Sequence, residues 1–142
     1  MRPALLDTSV YISTLRRGND SVIAFRNLGP DTPLWLSSVV LEELYAGAGT
    51  RERRLLERLQ RDFERIKRVL VPNLRDWADT GLLLARVAAA YGYESIGQGR
   101  LTNDALIATS ASRLGILILT ANEKDFQLLS RFRRFQWGLS KL

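Results

Sequence analysis

The sequence contains neither cysteine nor histidine. Without cysteine there can be no disulfides, no thiolate nucleophile and no cysteine-ligated zinc. Without histidine there can be no Ser-His-Asp triad, and the commonest transition-metal ligand is missing. If the chain is an enzyme, carboxylates are the obvious chemical groups left to it. Carboxylates bind hard, oxygen-preferring cations such as Mg²⁺ or Mn²⁺.

Long hydrophobic runs are also missing. No apolar stretch approaches the roughly 18 residues of a membrane span, and Asp7 interrupts Ala4–Leu6 too early for the apolar region of a signal peptide. We therefore expect no membrane contact and a cytoplasmic location. A length of 142 residues with 46% hydrophobic content is typical of a globular protein, so we expect one domain over residues 1–142.

Positive charge is in excess. Lysine and arginine number 21 against 15 aspartates and glutamates, which gives a net charge of +6, and 18 of the 21 are arginine. Because the guanidinium group suits bidentate phosphate contacts, this excess favours a polyanionic partner. Composition alone is a weak indication, and it gains meaning only if the acids cluster at a specific place.

Short apolar segments alternate with helical patterns along the chain. The predicted strands are Ala4–Leu6, Pro33–Leu36, Val69–Val71, Ile116–Leu119 and Phe135–Trp137. The first predicted helix follows Asp7, and the next runs from Ser21 to Leu28. Ser37-Ser38 caps a helix that Gly47 closes, and further helices run from Thr50 to about Arg68 and from Leu74 to Tyr91. A loop is predicted from Gly92 to Gly99, then a helix that Thr102 caps and Gly115 ends, and a short helical turn near Asp125. We expect the inward-facing residues of the first helix to include Val10, Ile12 and Leu15, and those of the long charged helix to include Leu55, Leu56, Leu59, Phe63 and Ile66. This alternation predicts an α/β fold with a largely parallel five-stranded sheet.

Four acids stand where such a sheet would form a ligand crevice, beyond the carboxyl ends of its strands. Asp7 ends the first strand, Glu43 lies about two turns into the helix after the second, and Asp125 follows the fourth. Asp104 is placed in the first turn of the helix that enters the fourth strand. That helix runs antiparallel to its strand, so its start belongs to the same edge of the sheet.

Each acid also has an ordinary structural explanation. Asp7 could be a helix N-cap, Glu42 and Glu43 a solvated pair, Asp104 a partner of the helix dipole, and Asp125 the end of a turn. Taken together, converging carboxylates repel one another and would have to take up protons unless a divalent cation compensates them. Such a cation lowers the pKa of a bound water and offsets charge on a scissile phosphate, so no histidine base is needed.

The motifs around these acids resemble those of PIN-domain proteins of the VapC type. The resemblance is carried by Leu5-Leu6-Asp7-Thr8-Ser9, by the segment from Ser37 to Gly47, by Asp104-Ala105-Leu106-Ile107-Ala108 and by the segment from Leu119 to Phe126. In the second motif a leucine follows the acid directly and a glycine stands four residues after it, which selects Glu43 rather than Glu42. The four motifs occur in the family's order over essentially the whole chain.

The resemblance implies a three-layer α/β/α fold, bound Mg²⁺ or Mn²⁺, and hydrolysis of RNA phosphodiester bonds. It implies that the catalytic, metal-binding acids are Asp7, Glu43, Asp104 and Asp125, supported by Thr8, Thr120 and Asn122. It also implies a homodimer and a cognate antitoxin that blocks the site. The basic helix from Thr50 to Arg68 fits a role in these contacts, although a solvated helix face explains it equally well. That helix, or the cluster of Arg131, Arg133 and Arg134, could contact RNA phosphates.

Other classes of protein share parts of this residue pattern. A haloacid-dehalogenase-like phosphatase also begins with an aspartate after its first strand, but it needs a second aspartate two residues later, where this chain has Ser9. A receiver domain needs an early acidic pair and a lysine after a late strand, and neither is clear. A nucleotide-binding fold needs a glycine-rich phosphate loop after the first strand, and this chain has none there. The same fold could also serve as a nuclease of RNA processing, or as a non-catalytic module that binds RNA or a protein partner.

Overall fold

The computed structural model describes residues 2–15, 32–96 and 99–140. The helix predicted from Ser21 to Leu28 lies outside these residues. Within them the chain forms five strands, six α-helices and one 3₁₀ turn. In chain order these are β1 Ala4–Leu6, α1 Thr8–Leu15, β2 Leu34–Ser37, α2 Ser38–Ala46, α3 Thr50–Arg65, β3 Val69–Leu70, α4 Leu74–Tyr91, the 3₁₀ turn Tyr93–Ile96, α5 Gly99–Leu114, β4 Leu117–Thr120, α6 Glu123–Ser130 and β5 Trp137–Leu139.

The five strands form one sheet in the order β3-β2-β1-β4-β5, and every neighbouring pair is parallel. Leu5 pairs with Trp35 on one side and with Ile118 on the other, so β1 is the central strand. From β1 the chain adds β2 and then β3 on one side of the sheet. It then adds β4 and β5 on the other side of β1. Right-handed crossovers therefore put the two sets of helices on opposite faces, which confirms the expected α/β/α architecture. A crevice opens at the carboxyl ends of β1 and β4, where the winding direction reverses.

The central strands are apolar because both faces of a parallel sheet are covered by helices. Leu5, Leu6 and Ile118 are completely buried, as is Leu36 on the adjoining strand. A second apolar cluster joins α4, α5 and α6, and its buried members are Leu83, Val87, Leu101, Ala105 and Leu129. Of the helices that the structure describes, none is long and apolar enough to cross a membrane.

A buried polar link fixes α4 against α5. Asp76 is 1% exposed, and the guanidinium of Arg113 binds its carboxylate through Nε and Nη2, with Nη2 2.9 Å from Oδ2. One turn further along α4, the hydroxyls of Thr80 and Thr109 lie 2.8 Å apart. Because α5 carries Asp104, these contacts help to hold that acid at its place on the sheet edge.

Several boundaries differ from the predicted ones. The helix that carries Asp104 begins at Gly99 and not at Thr102, so Asp104 lies in its second turn and not its first. The last strand begins at Trp137 rather than Phe135. The predicted loop between Gly92 and Gly99 contains the 3₁₀ turn. Helix ends are set by capping contacts and packing, which hydrophobic periodicity describes only weakly.

Three predictions of buried residues are wrong. Leu114, expected on the inward face of the helix that Thr102 caps, is 44% exposed at the last residue of that helix. Ile66 is 52% exposed, because α3 ends before it and the chain reverses at Lys67, whose φ is 58°. Ile12 is 38% exposed and borders the open crevice rather than the core.

Candidate active site

Asp7 follows β1 directly and is 5% exposed. Its carboxylate Oδ1 accepts hydrogen bonds from the backbone N–H of Ser9 and from Ser9 Oγ at 2.8 Å, so Asp7 also caps α1. Its Oδ2 accepts from the hydroxyl of Thr120 at the end of β4. The N-cap explanation and the site explanation of Asp7 are therefore compatible, because capping orients the carboxylate.

A polar network joins the ends of β1 and β4 around this carboxylate. Ser9 Oγ accepts a hydrogen bond from the N–H of Ala121 at 3.0 Å, and Thr120 Oγ1 accepts from the N–H of Asn122 at 3.0 Å. Asn122 Oδ1 in turn caps α6 by accepting from Lys124 N. Thr120 and Asn122 were expected from the sequence, whereas Ser9 was missed. The spacing of aspartate and serine at the start of a helix is the local signal that could have indicated it.

Glu43 projects from α2, which Ser37 caps by accepting from the N–H groups of Val39 and Val40. The buried face of α2 is apolar and turns Glu43 toward the sheet edge. Thr8 Oγ1 donates a hydrogen bond of 2.7 Å to Glu43 Oε1, whereas Glu42 is exposed. The structure thus gives the two neighbouring glutamates different surroundings, as the motif suggested.

Asp104 and Asp125 meet through a hydrogen bond between their carboxyl groups. Burial raises the pKa of Asp104 to about 9, and the hydrogen bond to Asp125 and the negative charges of Asp7, Asp125 and Glu43 add to this effect. The other three predicted acids therefore all act electrostatically on Asp104. An ordinary surface aspartate would ionise near 3.8, and Asp104 keeps its proton because burial and the neighbouring negative charges both disfavour another anion in this place.

These groups surround an open cleft of about 260 Å³. Its lining consists of Asp7, Thr8, Ser9, Ile12, Glu43, Asp104 and Asn122. Asp125 adjoins the cleft through its hydrogen bond to Asp104. The cleft lies where β1 and β4 end, which is the place that a doubly wound sheet offers to ligands.

The residues of the cleft fit a hard divalent cation. The donors are carboxylate and hydroxyl oxygens, which Mg²⁺ and Mn²⁺ prefer. Within the described ranges, no three acids already stand in a coordinating arrangement. Asp104 is hydrogen-bonded to Asp125 instead, and Glu43 accepts from Thr8. A bound cation would offset the negative charges that add to the effect of burial on the pKa of Asp104.

The second predicted basic cluster is partly engaged inside the protein. Arg131 donates to the hydroxyl of Tyr91 at 2.9 Å, and Arg133 lies 3.7 Å from Asp79. Two of its three arginines therefore brace the apolar cluster of α4, α5 and α6 at the chain's last helical turn. This cluster is a weaker candidate for phosphate contacts than its sequence suggested.

A doubly wound parallel sheet with acids at its central switch point defines the class of this protein. The chain belongs to the PIN domain family, whose sequence model matches residues 4–131. Among curated proteins, none matches the chain in sequence.

Solved structures resemble the chain over nearly its whole length. A DNA-bound VapBC from Salmonella typhimurium shares 25% sequence identity at a TM-score of 0.69, with 98% of each chain covered. VapBC-1 from nontypeable Haemophilus influenzae shares 27% identity at a TM-score of 0.59, with 96% of each chain covered. VapBC2 from Rickettsia felis, bound to a promoter DNA fragment, shares 18% identity at a TM-score of 0.61, with 98% of this chain and 99% of that one covered. The predicted likeness to VapC-type PIN proteins is confirmed.

Proposed function

We propose that this chain is a divalent-metal-dependent endoribonuclease that acts as the toxin of a VapC-like toxin–antitoxin pair. The observation that carries the proposal is the electrostatic convergence of Asp7, Glu43, Asp104 and Asp125 on one cleft. Structural ion pairs do not explain this arrangement, because the four acids have one sign of charge. Membership of the PIN domain family and the likeness to VapBC structures support the same conclusion.

The proposal assigns the four acids to hold Mg²⁺ or Mn²⁺. When bound, the ion supplies a water of lowered pKa and offsets negative charge at the scissile phosphate. Ser9 and Thr120 fix both oxygens of Asp7, and Thr8 orients Glu43. Asn122 caps the helix that carries Asp125. Supporting hydrogen bonds of this kind orient ligands and raise metal affinity.

The proposal also includes partners. The similar structures from Salmonella typhimurium and Haemophilus influenzae are VapBC complexes, and by analogy we assign this chain a protein antitoxin. A homodimer, one domain over the entire chain, and action in the cytoplasm, where an RNA substrate would be met, complete the hypothesis.

The test is cleavage of a labelled structured RNA by the purified chain with Mn²⁺, with Mg²⁺ and with EDTA. We expect internal cleavage only with metal, and a loss of roughly 100-fold or more in rate for Asp7→Asn and for Glu43→Gln. Glu42→Gln is the matched control, because it removes the same charge from the next position of the same helix and should cleave like the wild type.

Three results would reject the proposal. They are cleavage that persists in EDTA, equal losses for the Glu42 and Glu43 variants, and tight RNA binding without cleavage in either metal. The last result would favour a non-catalytic RNA-binding module on the same fold.

A further inference from the structure

Helix α3 carries five exposed arginines along one line of its surface, which we call the arginine stripe. Its members are Arg51, Arg54, Arg58, Arg61 and Arg65. They are separated by three, four, three and four residues. Side chains at this spacing lie above one another on a helix, and the stripe extends about 21 Å at 1.5 Å per residue.

The stripe lies opposite the face by which α3 packs on the protein. Leu56 and Phe63 are the buried residues of the helix, and at about 100° per residue they fall on the far side from Arg54 and Arg61. The core contact therefore fixes which way the stripe faces. The five arginines therefore face solvent because α3 packs on the core through its opposite side.

The acids of α3 lie beside the stripe and not within it. Glu57 and Glu64 lie on the side next to Tyr45, where both raise the pKa of the Tyr45 hydroxyl after burial itself, while Arg61 of the stripe lowers it. Among the ion pairs that the described residues form, one involves the stripe, between Arg65 and Asp62 at 3.8 Å. An exposed pair at that distance contributes little. The stripe is thus a line of five cations that Glu57 and Asp62 border on its two sides.

The stripe begins at the edge of the sheet that holds the cleft. Helix α3 leads into the parallel strand β3, so its first turn lies at the carboxyl edge, where Asp7 and Glu43 also lie. It follows α2, which carries Glu43, after a short turn. The Tyr45 hydroxyl of α2 donates to Gln60 Oε1 at 2.7 Å and fixes the two helices together. Arg51 is the end of the stripe nearest the cleft edge, and Arg65 is the far end.

We propose that the arginine stripe is a docking surface for the phosphate backbone of the RNA, leading the strand from α3 to the carboxylate cleft. This rests on the proposed function for the identity of the polyanion. The stripe fits a phosphate backbone because guanidinium groups bind phosphates bidentately and a backbone presents them repeatedly. The positive charge of the stripe also attracts a phosphate chain toward the cleft. The acids of the cleft would repel that chain until a cation is bound.

An acidic protein surface fits the stripe less well. Protein interfaces have an apolar centre with aromatic and methionine side chains. The exposed large hydrophobic residues of the described chain include none between Thr50 and Arg65. The outer surface of α3 therefore offers charge without the apolar contacts that a protein partner would use.

The test compares two triple variants that change the net charge equally. Arg54→Gln, Arg58→Gln and Arg61→Gln together neutralise the middle of the stripe. Arg2→Gln, Arg53→Gln and Arg75→Gln together form the matched control, since these arginines are exposed and lie off the stripe. The probe is a fluorescent 20-nucleotide single-stranded RNA of mixed sequence, measured in EDTA over a series of salt concentrations. Binding is then independent of cleavage, so a failure here is distinguishable from a failure of the proposed nuclease activity.

We expect the stripe variant to raise Kd roughly 10-fold or more at low salt, and the control to change it by less than about 3-fold. The slope of log affinity against log salt should fall by about 2 for the stripe variant, because each phosphate contact on a single strand contributes about 0.7. Melting temperatures should agree, since glutamine has nearly the helix propensity of arginine.

Two outcomes would overturn the proposal. One is an equal loss of RNA affinity in the two triple variants, which would indicate net charge alone. The other is tighter binding of a poly-glutamate peptide than of RNA to the wild type, with loss of that binding in the stripe variant. That result would assign the surface to an acidic protein.

Discussion

Replacing Asp104 by asparagine should stabilise the metal-free protein although it removes a residue from the proposed site. The asparagine is nearly isosteric and can still donate a hydrogen bond to the carboxylate of Asp125. It carries no charge, so it avoids the cost of burying an anion and the repulsion from nearby acids, which together raise the pKa of Asp104. Replacing a residue that serves packing lowers the stability of the protein. Replacing a residue that is kept for function often raises it.

The magnitude follows from the pKa of Asp104. The group keeps its proton up to about pH 9 in the folded protein and ionises near 3.8 in the unfolded chain. Between these values the folded state binds more protons, so wild-type stability falls as pH rises. At pH 7.5 the upper limit is about 5 kcal/mol, at about 1.4 kcal/mol per pH unit. The side chain is partly open to solvent, which lowers the expected gain for Asp104→Asn to about 1–3 kcal/mol.

The assay is thermal unfolding in EDTA at a series of pH values, with Glu57→Gln as a control for removing an exposed carboxylate. A gain of this size corresponds to a rise of roughly 3–9 °C in Tm at pH 7.5. The difference between variant and wild type should vanish near pH 4, where Asp104 is protonated. With millimolar Mn²⁺ the order should reverse, because the wild type binds the ion more tightly and gains stability from it.

A lower Tm for Asp104→Asn than for the wild type at pH 7.5 in EDTA would refute the reasoning. A difference that does not depend on pH would refute it as well, since it would show that packing and not charge is involved. An unchanged Tm of the wild type across the Mn²⁺ titration would contradict the assignment of the four acids to a metal.

The remaining predictions concern the groups that hold the site in place. Ser9→Ala removes the hydroxyl that bonds to Asp7 and leaves the N–H of Ala121 without its partner. We expect a stability loss of about 1–2 kcal/mol. We also expect the metal affinity to be lower by roughly 10-fold or more. Isothermal titration with Mn²⁺ measures the affinity, and an unaltered value would contradict the positioning role. Asp76→Ala leaves the guanidinium of Arg113, whose side chain is 33% exposed, without its partner and removes a capping contact of α4. We expect a loss of about 2–3 kcal/mol in urea unfolding. A loss below about 1 kcal/mol would show that the pair is dispensable.

Much of the architecture was predictable because the signals are local. Strands covered on both sides are continuously apolar, as in Ala4–Leu6, and helices start at side chains that accept from backbone N–H groups, as Ser37 does. Helix α4 has the predicted bounds, Leu74–Tyr91, because Asn73 forms a capping box at its start and Gly92 follows its end. Where such end signals are weak, as at the start of α5, the predicted boundary was wrong.

The sequence predicted which acids belong to the site, but not how they are hydrogen-bonded to their neighbours. With no histidine or cysteine in the chain, the acids at strand ends were the candidates for chemistry, and the structure brings Asp7, Glu43, Asp104 and Asp125 together. Their role as metal ligands stays a prediction. Ser9 was missed and Ile12 was expected in the core, since a helical period cannot tell the core from a cleft that opens against the same helix.

The sequence by itself determined the types of element, the parallel α/β class and the chemistry available, because burial pattern, capping and residue type act over a few neighbouring positions. Only the tertiary structure decided that β1 lies beside β4. That adjacency lets Thr120 bond to Asp7 across more than a hundred residues of chain and sets the four acids close enough for burial and charge to change the pKa of Asp104. Strand order depends on how all the helices pack at once, and no local pattern encodes it.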